Sequence, residues 1–250
     1  MDRLIYTAMS GMTDSMNRQR VIASNMANAQ TVGFRADMIA STPVTLKQGT
    51  TLEARAMTDG EVRSADMSPG TVSQTGNPLD IAVQGTDMIA VQAQDGTEAY
   101  TRRGDLSVSP TGVLTNGDGL PVMGNGGPIT VPVEAKLKIG PDGTILAVDP
   151  TNPNLQPSVV DKIKIASTAG SQIAKGLDGQ FRVVGGGTLP GNDNAQVSVE
   201  SLEGSNVSAS QVMVDMLQAQ RLFDIRTKLL STAKDMDQSG TSLLRQSAGS

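Results

Sequence analysis

Apolar residues recur at spacings of three and four from Ile5 through Met9, Met12, Met16, Ile22 and Met26. Ala8, Ala23 and Ala29 fill in, and Gln19 interrupts the stripe. The pattern predicts an amphipathic helix over residues 3–30 with a coiled-coil-like seam. Such a helix is about 42 Å long at ~1.5 Å per residue. Gly11 inside it costs about 1 kcal/mol relative to alanine. The pattern stops at Val32-Gly33, where a left-handed glycine can cap the helix and Phe34 can make the accompanying apolar contact.

Beyond Phe34 the period changes. Residues 40–76 are rich in Thr, Ser and Gly, and Pro43 and Pro69 forbid a continuous helix. They read as an extended connector with a short strand or two. From Leu79 on, short apolar runs alternate with turn residues. The candidate strands are 79–83, 88–92, 98–101, 106–108, 121–123, 129–131, 136–139 and 145–148, then 162–166, 181–184 and 196–200. Asp95-Gly96, Asn116-Gly117, Asp118-Gly119, Asn125-Gly126, Asp142-Gly143 and Asp178-Gly179 lie between them. Such pairs supply the positive φ angles of tight hairpins. The runs follow one another too closely for crossover helices, so the sheets are expected to be mainly antiparallel.

A helix begins again after Val207. Ser208 and Gln211 fit a capping box, and Val207 with Val212 a hydrophobic staple. The helix is expected to run to about Ser239, with Gly240 ending it. One seam carries Met213, Met216, Leu217, Phe223 and Leu230, and a second carries Leu222, Ile225, Leu229, Ala233 and Met236. Two apolar faces require two neighbours. For both terminal helices the plainer alternative is a helix packed on its own core; the sharper one is a seam that meets other subunits, to which flexible methionine is suited.

Composition narrows the chemistry. The 250 residues contain no Cys, His or Trp, which removes thiol, imidazole and Cys/His zinc chemistry. The net charge of −5 and the lack of a long basic run give nucleic-acid binding no support. Arg18 with Arg20, and Arg102 with Arg103, read as solvated faces. No stretch approaches the ~18 apolar residues of a membrane span, and residues 1–7 do not read as a cleavable signal. Gly185-Gly186-Gly187 completes no phosphate-binding pattern, no acidic run has calcium-loop spacing, and the sequon at Asn206 reads as chance. A Ser/Lys dyad remains open.

Four stretches resemble the axial (rod and hook) proteins of the bacterial flagellum. The first holds Asn25, Ala27, Asn28, Thr31, Gly33, Phe34 and Arg35. The second is Thr75-Gly76-Asn77-Pro78-Leu79-Asp80 with Ala82 and Gly85. The third is Tyr100-Thr101-Arg102-Arg103-Gly104-Asp105-Leu106 with Gly112 and Leu114. The last runs from Leu202-Glu203 through Ser205-Asn206-Val207 to Met213, Met216-Leu217, Ala219-Gln220-Arg221 and Phe223. Met88 and Ile89 stand where the family has an aromatic pair, and Leu106 where it has Phe.

The resemblance implies a non-catalytic structural subunit without cofactor or metal, most similar to a proximal-rod member. It would leave the cytoplasm through the flagellar type III export apparatus without a cleaved signal. In the periplasmic basal body it would polymerise with itself and other proximal and distal rod subunits into a helical drive shaft carrying motor torque to hook and filament. The expected fold is α+β: long N- and C-terminal α-helices pair as a coiled-coil-like bundle beside a mainly antiparallel all-β central domain. Residues 1–33 and 206–250 would form the assembly domain, 34–74 the connector and 75–205 the β domain. The expected interface is Ile5, Met9, Met12, Met16, Ile22, Met26, Met213, Met216, Leu217, Phe223 and Leu230, and the termini would gain most of their order on assembly. The alternatives are a distal-rod or hook-type protein and, in another class, a secreted β-rich adhesin or hydrolase.

Overall fold

The computed structural model describes residues 2–45, 56–132, 135–148 and 156–247, with side chains described over 9–39, 64–132, 135–148, 156–236 and 238–239. The chain divides into two compact units. One comprises residues 1–27, 37–64 and 208–250; the other comprises 28–36 and 65–207.

The first unit holds helix α1, Asp2–Ala27, helix α2, Ala209–Ser247, and a two-stranded sheet of Asp37–Thr45 and Ala56–Ala65. These strands are nine and ten residues long, longer than the short strand or two that the sequence suggested within an extended connector. Their Thr and Val content favours extended backbone despite Pro43. Helix α1 stops at Ala27, six residues before Gly33, so Gly33 is not its cap. Helix α2 starts one residue after Ser208, whose carbonyl accepts the first helical bond from the Val212 N–H at 3.0 Å. The reciprocal capping box is absent: the Ser208 hydroxyl meets that of Ser210 at 3.1 Å, and the Gln211 amide donates to Asp215 at 3.0 Å. Helix α2 also runs through Gly240 to Ser247.

The expected coiled-coil-like bundle is not formed. Among the described residues there are two helices, from opposite ends of the chain, and the region between them is mainly β. The class is α+β, but the apolar seams do not interlock: Met9, Met16, Met213 and Leu217 are exposed. One contact between α1 and α2 is polar. The Arg226 guanidinium donates to the Gly11 carbonyl and the Ser15 hydroxyl, with Asp14 at 3.6 Å. An added Cβ at Gly11 would stand 3.5 Å from the Arg226 guanidinium. That is ordinary van der Waals contact, so an alanine would fit there, and the contact is not the knobs-into-holes packing that a bundle requires.

The second unit is built on a five-stranded sheet, in the order Ile165–Ala166, Met88–Gln92, Glu98–Thr101, Phe181–Val183, Ile173–Lys175, with every neighbouring pair antiparallel. The sheet is buried on both faces around Met88–Val91, which explains why that run is continuously apolar rather than alternating. Ile89 and Val91 enter the larger core with Ile81, Leu114, Ile129 and Ile145. Met88 and Ala90 face Tyr100, Phe181 and Leu189 on the other side. Met88, Ile89 and Leu106 are all buried in the core. The Tyr100 hydroxyl donates to Glu98 at 2.7 Å and accepts the Leu189 N–H at 2.5 Å; burial pushes its pKa well above the ordinary value.

A three-stranded antiparallel sheet follows, of Lys136–Ile139, Thr144–Val148 and Ser158–Lys162. The last strands then return to the first: Val197–Val199 pairs with Ile81–Val83, and Ser201–Glu203 with Val72–Gln74. Gly96 and Gly143 carry the positive φ expected of Asp-Gly turns. The two Asn-Gly pairs do not: Gly117 and Gly126 lack it, and Gly119 and Gly127 supply the left-handed residue instead.

Candidate functional site

The expected interface residues fall into three groups. Met9, Met16, Met213 and Leu217 are 60%, 48%, 53% and 61% exposed. Met12, Ile22, Met26, Met216, Phe223 and Leu230 are half-buried, and the side chain of Ile5 lies outside those described. The second seam of α2 is open as well, with Leu222, Ile225, Leu229 and Met236 all exposed. On this 39-residue helix, Val212 and Ala219 are the buried apolar side chains among the described residues. Apolar surface on this scale is characteristic of a surface that meets another molecule.

The residues quoted from the first stretch act through backbone capping. The Asn25 side chain, 9% exposed, donates to the Asp37 carbonyl at 3.0 Å and accepts the Asp37 N–H at 2.8 Å. It substitutes for a neighbouring strand and fixes the end of α1 to the start of Asp37–Thr45. The Ser24 hydroxyl adds a bond to the Asp37 carboxylate at 3.1 Å. Ala27 is exposed. Asn28 and Thr31 close a turn, the Thr31 hydroxyl donating to the Asn28 side chain at 3.1 Å and its N–H to the Asn28 carbonyl at 3.1 Å. Phe34 is half-buried beneath Lys175, whose ammonium stands 3.7 Å from the ring centre.

Within the second unit, residues 33–36 are stitched to residues 203–206. The Glu203 carboxylate is 1% exposed. One oxygen accepts Arg35 Nη2 at 2.7 Å and the Gly70 N–H at 2.8 Å; the other accepts Arg102 Nε at 2.9 Å and Nη2 at 2.8 Å. The Glu203 carbonyl accepts the Gly33 N–H at 2.7 Å. The remaining Arg102 donors reach the carbonyls of Val83, at 2.8 Å, and Asp87. Burial lowers the Arg102 pKa, and the Glu203 charge opposes that shift. Asn206 accepts the Ala36 N–H at 2.8 Å and donates to the carbonyls of Asp66, at 2.8 Å, and Ser68, at 3.1 Å.

Two glycines make the close approach possible. Gly33 holds φ at +68°, and a Cβ there would overlap the Arg102–Arg103 backbone. A Cβ on Gly104 would overlap the Ile81 carbonyl, which lies beside the Asp80 turn. That turn is closed by Thr75 and Asn77 donating to Asp80 at 2.6 and 2.8 Å.

All four stretches therefore reach this clasp. Sequence reasoning quoted Arg35, Arg102, Glu203 and Asn206 but gave them no role, and it placed Arg102 on a solvated face, whereas the residue is 2% exposed. Nothing in local spacing links Arg35 to Glu203, 168 positions away.

Elsewhere in this unit a shallow cleft of about 300 Å³ is lined by Asp95, Asp118, Asp178, Gln180 and Arg182 among others. Its carboxylates are committed. Asp178 pairs with Arg182 at 2.7 Å, Asp118 with Arg103 at 2.6 Å, and Asp95 accepts the Thr97 hydroxyl at 2.6 Å. These bonds lower the pKa of Asp178 and Asp95. Carboxylates held ionised in this way are poor proton donors at neutral pH. Among the described residues no group of three or more acidic side chains is placed to hold a metal ion, and no helix is long and apolar enough to cross a membrane.

Three family models match the chain: "Flagella basal body rod protein" over residues 5–35, "Flagellar hook protein FlgE/F/G D1 domain" over 82–147, and "Flagellar basal body rod FlgEFG protein C-terminal" over 199–243. The chain is 41% identical to the flagellar basal-body rod protein FlgF of Escherichia coli strain K12, over 94% of this chain and 95% of that one. It is 38% identical to FlgF of Salmonella typhimurium strain LT2, over 99% and 100% of the two chains. Against the rod protein FlgG of Bacillus subtilis strain 168 the identity is 30%, over 97% and 99%. The matched segments include the clasp residues Arg35, Arg102 and Glu203 and most of both terminal helices, and on that agreement the chain belongs to the FlgF family of flagellar basal-body rod proteins, structural subunits of the rod.

Proposed function

We propose that this rod subunit sits in the proximal rod and polymerises through residues 1–33 and 206–250, with the β region of residues 75–205 as a rigid body and residues 34–74 connecting the two. The observation that carries the reading is the uncovered apolar surface along both helices, from Met9 and Met16 on α1 to Leu217, Leu229 and Met236 on α2. Each such side chain, once fully buried by a neighbour, contributes about 1.5–3 kcal/mol. A dozen of them outweigh the entropy of ordering two long helices. Contacts repeated head to tail without closing generate a helical tube. Torque then passes through many close-packed side chains rather than through one hinge.

In this reading the subunit has no catalytic role and needs no cofactor. It reaches the periplasmic basal body through the flagellar type III export apparatus, without a cleaved signal, and its partners are further copies of itself and the other rod subunits. The test is Met16→Asp, with Met26→Asp and Phe223→Asp beside it. Each variant is expected to abolish rod assembly and motility while the β unit melts as in the parent. Normal motility in Met16→Asp would reject assembly through the helical faces.

A further inference from the structure

The asparagines of the two Asn-Gly pairs sit in opposite surroundings. Asn116 is 1% exposed. Its side-chain oxygen accepts the N–H groups of Asp118 at 3.1 Å and Leu120 at 2.9 Å, and its amide nitrogen faces Asp118 at 3.4 Å. Gly117 itself is exposed, but an added Cβ there would run into the side chains of Asp105 and Arg103. Asn125 and Gly126, between Met123–Gly124 and Gly127–Pro128, are both exposed, and a Cβ on Gly126 would meet nothing within 4 Å. Among the described residues neither the Asn125 side chain nor the Gly126 N–H makes a hydrogen bond.

We infer that Asn125 is a site of spontaneous covalent modification, by intramolecular imide formation and hydrolysis, and that Asn116 is protected by the fold. The Gly126 amide nitrogen attacks Cγ of Asn125. A new C–N bond closes a five-membered imide, the Cγ–Nδ2 bond breaks, and the nitrogen leaves as ammonia carrying the proton given up by Gly126. Water then opens the imide at one carbonyl or the other, giving aspartate or β-linked isoaspartate. Glycine in the following position favours the attack because no Cβ shields its nitrogen. Either product adds one negative charge to the hairpin, and isoaspartate also inserts an extra backbone carbon. Asn116 must first lose two accepted hydrogen bonds and its burial, which slows it by at least about tenfold.

The experiment incubates the purified full chain in mildly alkaline buffer and follows both positions by peptide mass spectrometry. They lie in one tryptic peptide, residues 104–136, so fragment ions assign the gain of about one dalton to either site. Isoaspartate is confirmed by enzymatic methyl transfer to the digested peptide. Asn125 is expected to convert at least about tenfold faster than Asn116 in the folded chain, and the two at similar rates in urea. Gly126→Val, which has open space for its side chain, is expected to slow Asn125 alone. Equal rates in the folded chain, faster loss of Asn116, or an Asn125 that converts only in urea would each overturn the assignment.

Discussion

Glu203→Gln tests the clasp most directly. The carboxylate receives two buried guanidinium groups and one part-buried backbone N–H. Glutamine has nearly the same shape, so the substitution removes charge and two acceptor positions while leaving little cavity. Arg35 and Arg102 then remain as like charges without their shared counter-charge. Arg35 has little to fall back on, since its Nε and Nη1 are already buried without partners. Removing one member of a buried ion cluster costs about 3–5 kcal/mol. Against a total stability of about 5–15 kcal/mol this is a large fraction. At ~2–4 °C per kcal/mol the melting temperature of the β unit falls by roughly 6–20 °C.

The chain carries its own probe for this measurement. Tyr100, fully buried in the second unit, is one of only two tyrosines and there is no tryptophan. Tyrosine fluorescence in urea, alongside far-ultraviolet circular dichroism, gives the midpoint and the slope. A lower midpoint at unchanged slope is the expected signature. Arg103→Ala provides the contrast, because that arginine and its aspartates are part-exposed and such pairs contribute about 0–1 kcal/mol. If Glu203→Gln costs no more than Arg103→Ala, the clasp does not hold the β unit together and its charges are incidental.

Gly33→Ala combines a left-handed backbone with steric overlap on residues 102–103, so it is expected to lose more than the ~1–2 kcal/mol of the backbone conformation alone, read by the same urea titration. The carboxyl groups of Asp66, Asp142 and Asp178 are held below their ordinary pKa, the first two mainly by hydrogen bonds from Ser68 and Thr144 and the third mainly by Arg182. Their contribution is present above the unfolded value and is lost as pH falls through the folded ones; melting curves are expected to drop below about pH 4. With no histidine in the chain, the same curves should change little between about pH 6 and pH 8. Circular dichroism of the isolated chain against the assembled rod checks the ordering of the termini: helix content per terminal residue is expected to rise on assembly, and equal values would reject folding on assembly.

The helices and most strands were legible because periodicity is local. Met88–Gln92, Glu98–Thr101 and Lys136–Ile139 fall where the apolar runs lie. The misses have physical causes. Asp37–Thr45 and Ala56–Ala65 draw their length from pairing with each other, which their polar composition does not advertise. The bundle was inferred from two apolar stripes, but a stripe shows that a helix wants a partner and does not name one. Arg226, reaching the Gly11 carbonyl, makes a contact between α1 and α2 that no apolar stripe foretells. Arg35, Arg102 and Glu203 were visible as letters in three stretches, yet pairing across 168 and 101 positions exists only in the folded chain.

Because residues 33–36 lie hydrogen-bonded against residues 203–206, two segments far apart in sequence are pinned together within the second unit. Loops elsewhere in that unit can lengthen, shorten or be exchanged without altering this pairing. Variation in those loops is therefore cheap, provided the buried carboxylate and its two arginines are left alone.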